Sequence, residues 1–218
     1  MRAAEHPFQF VTASYITQIS NHKAVTLFEL AKGLKDSSDA SIFYHTFQSL
    51  SRHHFLTEGF SNDFAQWVLA ACNRPELAEQ LAGLDIRDYL SLAELRSDLL
   101  RLVTAYCAGN PPYADQAAFE PFYFCEGIEV AVPLSIEARS LEEFRAGLER
   151  LSHASMHYHF IASRLRLHLR TNDFSNWLES SLGLNALAQR VNRVDIYTYT
   201  LDSVQSILMA LVDEELSR

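Results

Sequence analysis

Glycine is scarce in this sequence, seven residues in 218, and proline is scarcer at six. With so few glycines and no Gly-x-Gly-x-x-Gly run, a dinucleotide fingerprint is excluded, as is a Gly-rich phosphate loop. The Gly-x-Ser-x-Gly elbow and the catalytic-cysteine signatures are missing too. Three cysteines (Cys72, Cys107, Cys125) lie far apart with no Cys-x-x-Cys spacing. An odd count without a framework reads as reduced, structural thiols. Basic residues are outnumbered, 18 Lys plus Arg against 27 Asp plus Glu, for a net charge of −9. That balance argues against nucleic acid or an anionic membrane surface as a partner, because both call for clustered positive charge. No run approaches the roughly 18 apolar residues of a membrane span, and Met1 to Phe10 lacks the apolar stretch of a secretory signal. The expectation is a soluble, cytoplasmic protein.

What the chain does contain is itself, twice. Sliding residues 7–57 by 114 onto 121–171 matches 17 of 51 positions, where chance gives roughly three for average composition. Ser41 to His45 (Ser-Ile-Phe-Tyr-His) returns as Ser155 to His159 (Ser-Met-His-Tyr-His). After four additional residues in the first copy, Glu58 to Ser61, the match resumes at an offset of 110. Asn62-Asp63-Phe64 with Trp67 then pairs with Asn172-Asp173-Phe174 and Trp177. The reading is a tandem duplication of a unit of about 95 residues. Its expected division is a first repeat at 1–106, a linker at 107–120 and a second repeat at 121–218, related by a pseudo-twofold. Ala108-Gly-Asn-Pro-Pro-Tyr113 marks the linker, since consecutive prolines do not continue a helix.

The fold class read from the pattern is mainly α, with a short extended segment at the head of each copy. Phe8 to Ile19 and Phe122 to Leu134 carry β-branched and aromatic residues without helical spacing. Ile128, Val130 and Val132 alternate as in a half-buried strand, and Gly127 offers a hairpin turn. The two segments could pair with each other. Thr26 and Ser140, each followed three positions on by Glu29 or Glu143, read as capping boxes that open helices. A second helix starts near Ser38 or Ser152 and is expected to run four to five turns. Asn62 and Asn172 read as N-caps of a third, with Asp63 and Asp173 suited to the positive helix end. Short helices near Pro75 to Leu81 and Ala186 to Val191 follow, then last helices near Leu92 to Tyr106 and Leu201 to Leu216.

The candidate site lies on the second helix of each copy. Ser41, His45, Ser49 and Arg52 are spaced four, four and three apart, which puts them on one helical face. Ser155, His159, Ser163 and Arg166 repeat that stripe with identical residues. If the stripes face each other near the pseudo-twofold, then His45, Ser49, Arg52, His159, Ser163 and Arg166 line a cleft able to hold an anion. The competing reading has the histidines hydrogen-bonded to backbone or carboxylates, holding helices together. His54 and His168 lie on the opposite side of the same helices and are expected to be core histidines bonded to Asp63 or Asp173. His157 and His53 read as incidental surface residues. Asp85, Tyr89, Asp195 and Tyr199 form a second shared polar set, suited to acid/base work or to pairing with arginine. Trp67 and Trp177 read as core. Arg164-x-Arg166-x-His168-x-Arg170 is locally basic, yet alternate helical residues point to different sides. No zinc spacing, His-Glu-x-x-His or paired Glu-x-x-His is present, so no metal and no cofactor is assigned.

The runs Ser-Ile-Phe-Tyr-His-Thr-Phe (41–47), His54-Phe-Leu, Asn-Asp-Phe-Ala-Gln-Trp (62–67), Leu77-Ala-Glu and Leu84-Asp-Ile resemble DUF5752, a prokaryotic family of unknown function. The resemblance covers most of the first copy, and the second echoes it more faintly. It implies no activity, and no site residue gains a role from it. On the residues alone, the favoured function is non-enzymatic binding of a partner protein or a small polar or anionic ligand at the repeat junction. The rivals are an enzyme using the paired histidines as acid/base groups and the arginines to hold an anionic substrate, and a metal or haem site at His45 with His159. Whether the chain is an enzyme, and whether it is a homo-oligomer, stay open at this stage.

Overall fold

A computed structural model describes residues 4–48, 60, 62–195 and 199–218. Helix accounts for 58% of the chain, and the strands form a two-stranded antiparallel sheet. Strand β1 (Phe8–Ala24) is followed by helices α1 (Leu27–Asp36), α2 (Asp39–Phe43), α3 (Asp63–Ala70), α4 (Pro75–Ala82) and α5 (Leu92–Gly109). A single turn, α6 (Pro111–Ala114), leads to strand β2 (Phe122–Ala138). Then come α7 (Leu141–Glu149), α8 (His153–Met156), α9 (Ser163–Arg166), α10 (Asp173–Ser180), α11 (Asn185–Asn192) and α12 (Leu201–Leu216). Both strands are 17 residues long, and the same order of longer elements follows each.

The caps form where the hydroxyl and amide residues stand. Thr26 and Ser140 accept from the N–H groups of Glu29 and Glu143. The glutamates reach one residue further back than a capping box requires, to the N–H groups of Val25 and Arg139, each at 2.7 Å. Asn62 and Asn172 accept from Ala65 and Ser175 at 2.9 and 3.0 Å, and both are buried.

The chain divides into two compact units: Met1–Tyr15 with Glu129–Arg218 (the split unit), and Ile16–Ile128 (the continuous unit). These units do not follow the expected division at 107–120, because each strand passes from one unit to the other midway. The head of β1 therefore packs on helices that follow β2. In the split unit, Phe8 meets Phe144, Phe174 and Trp177 at centroid distances of 5.5 to 5.6 Å. In the continuous unit, Phe122 meets Phe64 and Trp67 at 5.3 and 5.8 Å. A glycine receives the second phenyl ring in each case. A Cβ on Gly147 would lie 2.3 Å from Phe10, and one on Gly33 would lie 2.2 Å from Phe124. Only a bare backbone admits that approach.

Two expectations change at the strands. Gly127 makes no hairpin, because β2 runs straight through it and Gly183 is the positive-φ glycine among the described residues. Ile128, Val130 and Val132 form the exposed side of β2, at 46 to 54% exposure. The intervening Glu129 turns inward instead, held by Tyr15 and Arg166.

The helices expected to start near Ser38 and Ser152 also depart from expectation. Instead of four to five regular turns, α2 passes into a π-helical segment at Tyr44–Gln48, and α8 into one at His157–Ala162. A π turn adds a residue per turn, so the 3.6-residue stripe does not stay on one line.

Candidate functional site

In the split unit the π segment brings His159 beneath β1 and against the start of α10. Its Nε2 accepts the Val11 N–H at 2.8 Å, and its Nδ1 lies 2.8 Å from Asp173 Oδ2. A ring nitrogen that accepts a backbone N–H carries no proton, so the proton sits on Nδ1 and is donated to Asp173. Asp173 is the first residue of α10, where the unpaired N–H groups of the helix favour a carboxylate. The continuous unit repeats the arrangement. His45 Nε2 accepts the Cys125 N–H at 2.8 Å, and its Nδ1 lies 2.8 Å from Asp63 Oδ2 at the start of α3. Both rings are almost fully buried, at 3% and 2% exposure. Each stands about 5 Å from two phenylalanines: Phe122 and Phe64 for His45, Phe8 and Phe174 for His159. The pair clamps a strand to a helix N-terminus, and both ring nitrogens are used in doing so.

Above each clamp lies a cleft. The one in the split unit measures about 280 Å³ and is lined by Gln9, Tyr158, Arg166, Asp173, Asn176 and Trp177, among others. The one in the continuous unit measures about 460 Å³ and is lined by Asp63, Gln66, Trp67, Ala70, Ala71, Phe119 and Glu120. Asp63, Gln66 and Trp67 precede Asp173, Asn176 and Trp177 by a common offset of 110 positions. The tryptophans are core residues, and each anchors the segment entering a strand. Trp67 Nε1 donates to the Glu120 carbonyl and Trp177 Nε1 to the His6 carbonyl, both at 2.8 Å.

The split-unit cleft is polar. Arg166 Nη2 meets Asp173 Oδ2 at 2.9 Å, its Nη1 meets both Glu129 oxygens at 3.2 Å, and the guanidinium covers the Tyr158 ring at 4.2 Å. Tyr15 donates its hydroxyl to Glu129 at 3.0 Å. Burial, with Glu129 beside it, pushes the Tyr15 phenol well above its ordinary value, so it remains a donor. Two carboxylates already face the single guanidinium, so an anion would have to displace one of them.

The split unit thus gathers His159, Ser163 and Arg166 around Asp173. Ser163 is buried; its hydroxyl donates to the His159 carbonyl at 2.5 Å and accepts the Asp173 N–H at 3.3 Å. Ser49 and Arg52 lie outside the described residues, as do His53 and His54. His168 does not bond Asp173: it is exposed at φ 53°, and His159 holds the carboxylate. Of the second polar set, Tyr89 donates to Asp98 at 2.8 Å, and burial together with that carboxylate raises it to about 12. Asp85 and Asp195 are half-buried, and Tyr199 is exposed. In the Arg164–Arg170 segment, Arg164 is buried and donates to Asn192. Among the described residues, no three His, Cys, Asp or Glu side chains gather to hold a metal ion.

His157, expected at the surface, lies inside the split unit. It is buried, neither ring nitrogen has a hydrogen-bond partner among the described residues, and the Tyr15 ring lies edge-on at 4.9 Å. Burial lowers its pKa to about 4. Residues 155–164 are all buried except the half-buried Tyr158, so positions on opposite sides of the helix, 157 and 159 among them, both face inward. The available signal was the matching position in the first copy, Phe43, an apolar residue that is itself buried.

Among proteins of curated function, none matches the chain. Among solved structures it is similar to OrfY from Thermoproteus tenax, with 27% identity and a TM-score of 0.86. That similarity spans 100% of this chain and 99% of the other. A family of unknown function, DUF5752, matches over residues 5–213, and the chain belongs to that family.

Proposed function

We propose that the chain is a tandem duplication that acts by binding rather than by catalysis. Each unit presents one cleft, beside its Asn-Asp-Phe-x-x-Trp helix, to a partner protein or a polar ligand. The observation that carries this reading is the state of the two histidines. An acid/base histidine needs one ring nitrogen free to face a substrate. In both His45 and His159 the nitrogen opposite the aspartate is occupied by a backbone N–H. The same occupation counts against a metal or haem ligand at either ring, since ligation would break a strand contact.

The recurrence of clamp, tryptophan anchor and cleft at matched positions supports the duplication. Arg166 supports polar recognition more than anion capture, because Glu129 and Asp173 already balance its charge.

The test is site-specific photo-crosslinking in the native host. A benzophenone amino acid at Gln66 or Asn176, inside the clefts, should give adducts that are absent when it replaces the exposed Glu149. Adducts that are the same at all three positions would sink the reading.

A further inference from the structure

The two clefts share a frame but not a lining, and the difference points to what one of them holds. At matched positions the split unit carries Ser180, Ser181 and Glu5, and the continuous unit carries Ala70, Ala71 and Phe119. The continuous unit's cleft is therefore apolar and the larger of the two, at about 460 Å³. Phe119 stands at its edge with 86% of its surface exposed, more than any other large apolar side chain described. That exposure is not fraying. The Phe119 N–H donates to the Ala71 carbonyl at 2.9 Å, and the preceding Ala118 N–H donates to Val25 at 2.7 Å. A ring fixed in water above a floor of Trp67, Ala70 and Ala71 is an unfinished apolar contact.

We propose that this cleft docks a partner protein through an apolar side chain with a basic residue next to it; the proposal deepens the binding reading above and rests on it. The apolar anchor enters between Phe119 and the Trp67–Ala71 floor. The basic neighbour faces the rim, where the charged residues lining the cleft are the carboxylates Asp63 and Glu120. Asp63 is engaged by His45, so the exposed Glu120 is the group offered to the partner's cation. A small apolar molecule would fill the floor yet leave most of Phe119 in water, whereas a polypeptide segment covers both. A second copy of this chain, at net charge −9, brings the wrong overall sign.

A phage-displayed random heptapeptide library panned on the full chain tests this. Enriched peptides should pair an aromatic or aliphatic residue with an adjacent Lys or Arg. Phe119→Ser should weaken them by about tenfold or more, as expected for loss of a central apolar contact. Glu120→Gln should weaken them severalfold and flatten the salt dependence. The exposed Phe119 can be replaced without loss of the fold, and circular dichroism checks that. Enrichment of peptides lacking the pairing, or binding indifferent to Phe119→Ser, overturns the inference. If such peptides instead lose binding to an Asn176→Arg variant, binding through the clefts survives and only this assignment falls. No enrichment that depends on either cleft sinks both.

Discussion

Replacing His157 by Phe should remove an acid-sensitive weakness from the split unit. The substitution places there the residue that the first copy carries at the matching position, Phe43, which is buried and stacks on Phe47 at 4.8 Å. His157 is buried without a hydrogen-bond partner among the described residues, and burial lowers its pKa from 6.5 to about 4. The folded chain therefore resists the proton, and the unfolded chain accepts it. The neutral ring's contribution is fully present above pH 6.5, declines as the pH falls, and has gone once the pH passes below about 4. A depression of that size corresponds to roughly 3 kcal/mol over the whole window and to about 2 kcal/mol between pH 8 and pH 5.

Urea unfolding of both proteins at pH 8 and pH 5 isolates the effect. Any constant difference between His and Phe, such as relief of two unsatisfied nitrogens, cancels when the two pH values are compared. So do the other titrating groups. The variant's advantage should grow by about 2 kcal/mol on going from pH 8 to pH 5. An advantage of the same size at both pH values would refute the burial argument, because it would mean that His157 takes its proton as readily folded as unfolded.

Other substitutions probe the frame. Gly147→Ala and Gly33→Ala should each destabilise by about 1–3 kcal/mol through overpacking against Phe10 and Phe124, despite the better helix propensity of Ala. Phe10→Leu should partly rescue the former in a double-mutant cycle read by urea unfolding. His159→Ala should cost about 2–5 kcal/mol, from a buried void and an unpaired N–H, with loss of hydrogen-exchange protection at Val11. His45→Ala should do the same at Cys125. Asn172→Ala removes a buried cap and should lower stability by about 1–2 kcal/mol in thermal unfolding.

Much of this frame can be read from the sequence, because caps and apolar spacing act locally. Asn62 and Asn172 cap where an amide precedes a helical run, and the helices after them start and stop within a few residues of their pattern. The histidine partners are harder to read. Counting 3.6 residues per turn sets His54 and His168 opposite His45 and His159, which makes them the expected core partners of Asp63 or Asp173. The π segments at Tyr44 and His157 reset that count, and nothing in the residue pattern announces a π turn. Which helices receive Phe8 and Phe10 was also out of reach. Identical phenylalanines head both strands and identical glycines await both, so the repeat is equally consistent with each strand packing on its own copy or on the other. The continuity of β2 through Gly127 decides it.

That ambiguity makes a final prediction about residues 116–218 expressed alone. The split unit is built from chain ends far apart, as in the bond from Trp177 to His6 across 171 positions. The fragment lacks Phe8 and Phe10, and loss of a buried phenylalanine typically costs about 3–5 kcal/mol each. It cannot fold its own strand back to replace them, because Glu129–Ala138 already belongs to the unit. A second fragment can supply what is missing. Phe122 and Phe124 of one copy match Phe8 and Phe10 residue for residue, and Glu120 offers the carbonyl that His6 provided. The fragment should therefore sediment as a strand-exchanged dimer that unfolds on dilution. In that dimer Glu129 takes the place of Tyr15 and faces a second Glu129, so the hydrogen bond at 3.0 Å becomes a like-charge contact. Glu129→Gln should tighten the dimer, most clearly at low salt. A folded monomeric fragment would show that the split unit's core does not depend on the borrowed strand.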